Sequence, residues 1–240
     1  MGTFQRMLEE TGPRAEEFEE KAVSQLQKAH RLRKTGIRAA KEGIRAVKQR
    51  KPPSLVDHCK ARIQQCIEEI QALSLPPRYL RSEFADQTAA ELMELVCFEC
   101  AYPAVFLGGS FGSKDFLSAE RLGISPQARY HGIADVPGEL AKAVTGFRRG
   151  RLPLKEKVVL RERLLGVLQD IISYLADATD ESVLEITGHE KDFRRRFEGK
   201  VASIGTLINR LNEELVELQG QIHFVEEVRR AARGASGDTL

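Results

Sequence analysis

The sequence predicts an all-α fold, a single-domain bundle of about seven helices. Apolar residues recur at helical spacing through most of its 240 residues. No segment alternates apolar and polar residues in the manner of a strand, and no repeat of 20–50 residues is present. Aromatic residues are only 6% of the chain, Trp is absent, and Gly and Pro fall mostly between the periodic segments, which argues against a many-turned β fold.

The first helix is expected from about Pro13 to Arg50, stopped by Pro52-Pro53. Ser54 is expected to cap a second helix reaching about Ser74, with Ile63, Cys66, Ile67 and Ile70 turned inward. A third spans Ser82 to Leu107. Its centre is apolar on most sides, which places it at the middle of the bundle, and Pro103 is expected to kink it. The glycine-rich stretch 108–112 is a loop. A short helix from Ser113 to Leu122 follows, ended by Gly123. The fifth spans Gln127 to Phe147, disturbed at Pro137-Gly138, and a basic turn covers 148–153. The sixth, Leu154 to Ala176, carries two apolar stripes, one through Leu160, Leu164, Val167 and Ile171, the other through Val158, Leu165, Leu168 and Ile172. Such a helix packs against two layers. The last helix, Glu190 to Val228, carries Phe193, Phe197, Val201, Ile204, Ile208, Leu211, Leu215, Leu218 and Ile222 in steps of four and three, a heptad seam. One domain is expected over 1–232, with a disordered tail over 233–240.

Bulk properties exclude some functions. No apolar run reaches the roughly 18 residues that a membrane span needs. The N-terminus is acidic and lacks the apolar core of a signal peptide, so a cytoplasmic protein without a membrane partner is expected. Cys59, Cys66, Cys97 and Cys100 each fall within a helical pattern. Cys59 and Cys66 are two turns apart and cannot chelate together, so buried free thiols are expected.

Net charge is only +2, but residues 28–51 hold ten Lys and Arg against one acid, Glu42. Arg31, Lys34, Arg38, Lys41, Arg45 and Lys48 step by three and four, so they share one helix face. Ile37, Ala40, Ile44 and Val47 run beside them as the packing stripe. The row spans about 25 Å at 1.5 Å per residue. A phosphate backbone is its natural partner, bound without sequence preference. A solvated face or an anionic membrane surface are the competing readings.

Two carboxylate pairs stand out. Glu91 and Glu94 are three apart beside Leu92, Leu95 and Val96, and Asp135 and Glu139 are four apart beside Ile133, Ala134 and Leu140. Two facing helices that each present such a pair can hold Mg²⁺ or Mn²⁺. By spacing alone the pairs are weak evidence for a metal site, because ExxE and DxxxE are common by chance. His131, near Asp135, reads as a packed histidine before it reads as an acid–base group.

At these residues a resemblance appears. Glu91-Leu-Met-Glu94-Leu-Val-Cys-Phe98 resembles the ExxExVSF segment of the translin-associated factor X family. Gly132-Ile-Ala-Asp135-Val-Pro-Gly-Glu139-Leu140 resembles its GVADLTGEL segment. Glu120-Arg-Leu-Gly-Ile-Ser-Pro126 and Arg196-Phe-Glu-Gly199 resemble segments of its sister, translin. The matches run in the family's order over about 83–220. The resemblance implies a seven-helix protomer that assembles into a hollow shell of roughly eight subunits. Single-stranded RNA (or DNA) is held inside by basic residues of the first helix. It also implies a metal-dependent endoribonuclease, with Glu91, Glu94, Asp135 and Glu139 as both metal ligands and catalytic residues for Mg²⁺ or Mn²⁺. Glu139 would be a ligand or the general base. Pro137, within the second motif, is expected to distort the helix that aims Glu139. Three alternatives stay open: a translin-like binding protein without catalysis, an all-helical nucleoside triphosphate pyrophosphohydrolase, and a helical scaffold. The second accounts for the carboxylates but not for the basic row.

Overall fold

The computed structural model describes residues 3–75, 81–112, 115–116, 122–147, 152–177 and 190–235. Among them are six α-helices and no strand: α1 Thr3–Lys48, α2 Pro53–Gln71, α3 Arg81–Leu107, α4 Pro126–Phe147, α5 Leu154–Asp177 and α6 Glu190–Ala235. The short helix expected over 113–122 and the basic turn at 148–153 lie largely outside the described residues, as does the end of the expected tail. The last helix continues past its expected end to Ala235, so residues 233–235 are helical rather than tail.

The third helix is central, as its apolar composition requires. It packs against α1, α2, α4 and α5, while α6 lies across α4 and α5. Leu92, Met93, Leu95, Cys97, Phe98, Ala101, Tyr102 and Val105 are all buried along it. Side chains on every side of a helix find cover only when neighbours surround it. On α5, Leu164, Val167, Leu168 and Ile171 are buried and Leu160, Leu165 and Ile172 pack against the core, so both stripes are used. Cys59, Cys66 and Cys97 are buried and Cys100 half-buried, all free thiols whose burial pushes each pKa up.

Small residues set the approach of α1. A Cβ on Gly36 would stand 2.6 Å from Thr88 Cγ2, and one on Gly43 would stand 2.6 Å from Leu95 Cδ2. With buried Ala39, Ala40 and Ala46, these glycines let the backbone of α1 lie close on α2 and α3. The basic row rides on the other face.

Helix starts depart from expectation twice: α1 begins at Thr3 rather than about Pro13, and α2 has a different cap. Pro52 precedes α2 and Pro53 occupies its first turn, with no side chain capping the end, so Ser54 is not the cap. The N–H that Pro53 lacks would have no partner inside the helix at this first position, and its fixed φ suits the first turn. α1 closes with Arg50 at φ 52°, Lys51 N–H donating to Ala46 O (3.0 Å) and Arg50 N–H to Val47 O (3.0 Å). This is a Schellman ending with arginine where glycine is usual. Neither Pro103 nor Pro137 breaks its helix. Buried Val136 and Leu140 flank Pro137 and hold the turn that lacks one hydrogen bond.

Ion pairs tie layers together. Lys60 joins Glu99 across α2 and α3 at 2.7 Å, and Arg161 joins Glu214 across α5 and α6 at 2.9 Å. Arg161 is only 5% exposed and also donates to Lys157 O. Removing Glu214 would leave a buried guanidinium uncompensated.

Candidate functional site

The two carboxylate pairs meet where α4 crosses α3, and one glycine sets the distance. A Cβ on Gly132 would collide with the Ala90 carbonyl oxygen and would stand 2.6 Å from Met93 Cβ and 2.9 Å from Glu94 N. Only a residue without a side chain allows the backbones to touch there. Gly132 is one turn before Asp135, so the contact brings Asp135, and Glu139 after it, alongside Glu91 and Glu94. All four carboxylates are half-buried.

Their electrostatics show the crowding. Burial, then the neighbouring Glu91, Asp135 and Glu139 charges, push Glu94 up to about 8, with Lys200 opposing. Burial and then Asp135 raise Glu91, against Lys41, Lys200 and Arg33. Glu139 goes the other way. Burial alone would raise it, but hydrogen bonds from Lys142 and Lys48 outweigh that and hold it below the usual range. Lys142 is 72% exposed and therefore heavily screened, whereas Lys48, at 28%, is the stronger partner.

Cations organise the cluster. Lys48 Nζ donates to Glu139 Oε2 at 2.7 Å and sits 5.3 Å from the centre of the Phe98 ring. Lys200 Nζ, from α6, donates to Asp135 Oδ2 at 2.7 Å and to the His131 carbonyl at 3.4 Å. Burial first, then Lys200 and Arg196, lower His131 to about 4. Its ring is therefore neutral at pH 7 and packs edge-on to Phe197, which agrees with a packed histidine.

The basic row divides. Arg31, Lys34, Arg38, Lys41 and Arg45 are exposed, whereas Lys48 turns into the carboxylate cluster. Arg33, outside the row, donates to Gln87 on α3. Lys200 was missed by sequence reasoning, as was the inward turn of Lys48. The only local signal for Lys200 is its place directly after the Arg196–Gly199 motif.

Four carboxylates are the right donor type for a hard divalent cation, and Glu94 is raised first by burial and then by its three carboxylate neighbours. As the side chains stand, no three Asp, Glu, His or Cys groups among the described residues converge as a metal-binding group. Asp135 is turned to Lys200, and Glu139 to Lys48 and Lys142. Glu91, Glu94, Asp135 and Glu139 would hold the ion once the two outer carboxylates exchange ammonium for metal. No described helix is long and apolar enough to cross a membrane.

A helical bundle with a half-buried carboxylate cluster at the end of a cationic helix face is the class of protein that these features define. No protein-family model matches the sequence, and no curated protein matches it. Among solved structures the chain is similar to the crystal structure of apo-NeC3PO, with a TM-score of 0.53 and 19% sequence identity over 90% of this chain and 100% of that chain. The fold is thus all-helical and translin-like.

Proposed function

We propose that this chain holds single-stranded RNA along the exposed cations of α1 and cuts it at the Glu91, Glu94, Asp135 and Glu139 cluster with Mg²⁺ or Mn²⁺ bound. On this reading it stands with the catalytic translin-associated factor X branch of the family that its motifs resemble. The observation that carries the proposal is continuity: the cationic face of α1 ends in the carboxylates, through the 2.7 Å pair of Lys48 and Glu139. A strand neutralised by Arg38, Lys41 and Arg45 is delivered to the cluster.

A divalent cation there supplies charge stabilisation at the scissile phosphate and makes water more acidic. The protein's own part is to position ligands and manage charge. Lys48 and Lys142 keep Glu139 ionised, which suits it to bind a cation more than to accept a proton. With its pKa lowered to about 4, His131 is neutral at pH 7 and takes no part as a general acid.

A second reading has one observation in its favour. Lys200 and Lys48 already give Asp135 and Glu139 structural partners, as a translin-like holder that does not cut would require. The deciding experiment incubates labelled single-stranded RNA with the protein in Mg²⁺, Mn²⁺ or EDTA, beside Asp135→Asn and Glu94→Gln. Metal-dependent cutting that both variants lose while keeping RNA binding supports the nuclease. Tight, salt-sensitive binding without cutting in any metal supports the holder. Hydrolysis of free nucleoside triphosphates alone supports a pyrophosphohydrolase.

The assembly belongs to the same proposal. Along the α6 seam Phe197, Ile204, Leu211 and Leu215 are buried, and Val201 and Ile208 pack against the core partly covered. Beyond Leu215, Leu218, Ile222 and Val225 are only half-covered, and Val216, Phe224 and Val228 are exposed at 71%, 66% and 52%. A second copy of the chain would cover this stretch, in a homo-oligomer of roughly eight subunits.

A further inference from the structure

A cleft of about 410 Å³ opens where the end of α1, the end of α3 and the start of α5 meet. Arg50, Lys155 and Arg163 line it, with Phe106, Val159 and Leu160 as an apolar wall. We propose that this cleft binds one nucleotide unit, its phosphate held by Arg50 and Arg163 and its base laid on the apolar wall.

Three observations carry this. The volume falls within the range of small-ligand sites, and the lining is what such sites show, a mostly apolar surface with a few convergent charges. The wall is prepared: Phe106 stacks on Tyr102 at 4.3 Å, which fixes its ring, and Val159 beside it is 42% exposed, so its side chain is open to a ligand. A flat apolar surface beside cations is what a base needs, because every base presents a π face. The arginines, too, are set in place. Arg50 takes φ 52° at the end of α1, a conformation that glycine adopts without strain and arginine does not. The Arg163 guanidinium rests against Gly108, so close that a Cβ there would stand 2.9 Å from Nη2. Lys155 contributes less, being 76% exposed and paired with Glu226 at 3.1 Å. Glu156 also lines the cleft and would repel a second phosphate, which favours monophosphates.

The cleft continues the basic row. Arg50 lies two residues beyond Lys48, and the Tyr102 hydroxyl donates to the Lys48 carbonyl at 3.3 Å. Phe106 is twelve residues along α3 from Glu94, about 18 Å at 1.5 Å per residue. The nucleotide can be a free monophosphate or one unit of the strand. The second case rests on the proposed RNA function, and the first does not.

The test uses the full-length protein in EDTA. AMP, adenosine and inorganic phosphate are titrated calorimetrically, and a fluorescent single-stranded RNA by anisotropy. Arg50→Gly, Arg163→Ala and the row variant Lys41→Glu are compared, with circular dichroism to confirm folding. Arg50→Gly removes the guanidinium while suiting the left-handed backbone, so it keeps the fold. Expected are saturable AMP binding, adenosine and phosphate each at least about tenfold weaker, and about tenfold loss in each arginine variant, the lower end for a charge-assisted hydrogen bond. If AMP competes with RNA and the arginine variants weaken RNA, the strand supplies the nucleotide. If they lose AMP and keep RNA, the ligand is free. Lys41→Glu should weaken RNA and spare AMP. AMP binding with no RNA binding at all would end the proposed function and leave the cleft standing. No saturable AMP binding, phosphate binding as tight as AMP, or AMP binding indifferent to both arginines overturns the inference.

Discussion

At Glu94, burial and three neighbouring carboxylates push the carboxyl up to about 8, from an ordinary 4.5. Between these values the folded protein keeps a proton that the unfolded chain has released, so this residue makes stability fall as pH rises through that window. His131 acts in the opposite sense. Its pKa drops to about 4 on folding, so stability is lost as pH falls from about 6.5 toward 4. Comparing Glu94→Gln with the parent chain isolates the carboxylate, because His131 is common to both. In EDTA at pH 8 the variant should melt higher, by at least about 2–4 °C, or about 1 kcal/mol for a chain of this size. The advantage should shrink as pH is lowered toward 4.5. Thermal melts across that range check it, and a gap that ignores pH would sink the assignment. Saturating Mg²⁺ should reverse the order at pH 8 if the cluster binds it, since a ligand of the folded state adds stability only where its site is intact.

The crossing of α3 and α4 depends on Gly132, and its substitution tests the element rather than the chemistry. Gly132→Ala adds one methyl group against the Ala90 carbonyl and Met93, where backbone must move to admit it. Overpacking of this kind costs about 1–3 kcal/mol, and the displacement carries Asp135 away from Glu94. The expected result is a lower melting temperature together with a Glu94 titration shifted toward 4.5, followed by NMR of the labelled carboxyl. A variant that loses stability but leaves Glu94 unmoved would show that another contact brings the pairs together. The pairs themselves were legible in the sequence because three- and four-residue spacing on a helix fixes a shared face whatever the tertiary structure. So were the central place of α3 and the double-faced α5. Lys200 was not, because its meeting with Asp135 is created by packing α6 on α4, and nothing local in a heptad helix marks one lysine as inward. Lys48 followed the spacing of the row yet points elsewhere, since at the end of α1 the nearest anion is Glu139 rather than solvent. Pro137 looked disruptive because local propensity ignores the buried neighbours that hold its turn.

Both 46-residue helices are far longer than the core they cover, and each leaves a surface for the whole molecule to use. On α6, beyond Leu215, exposed Phe224 and Val228 stand beside the half-covered Leu218, Ile222 and Val225. Phe224→Glu should reduce the size of the particle measured by light scattering without lowering the helix content, while a parent chain that is already monomeric would remove the proposed role of these residues. On α1 the surface is charge, and its worth is read from salt. Binding of a single strand loses affinity with a slope in log salt of about −0.7 for each phosphate neutralised. The five exposed cations Arg31, Lys34, Arg38, Lys41 and Arg45 therefore set an expected slope of about −3.5 for one protomer's row. Arg38→Ala should make that slope shallower by about 0.7, whereas Lys48→Ala should leave it nearly unchanged, because Lys48 already neutralises Glu139. Fluorescence anisotropy over a salt series measures both. Equal effects of the two substitutions would mean that Lys48 swings out to the strand and that Glu139 is released when RNA binds, so the ammonium would leave the cluster at the moment a cation is needed there.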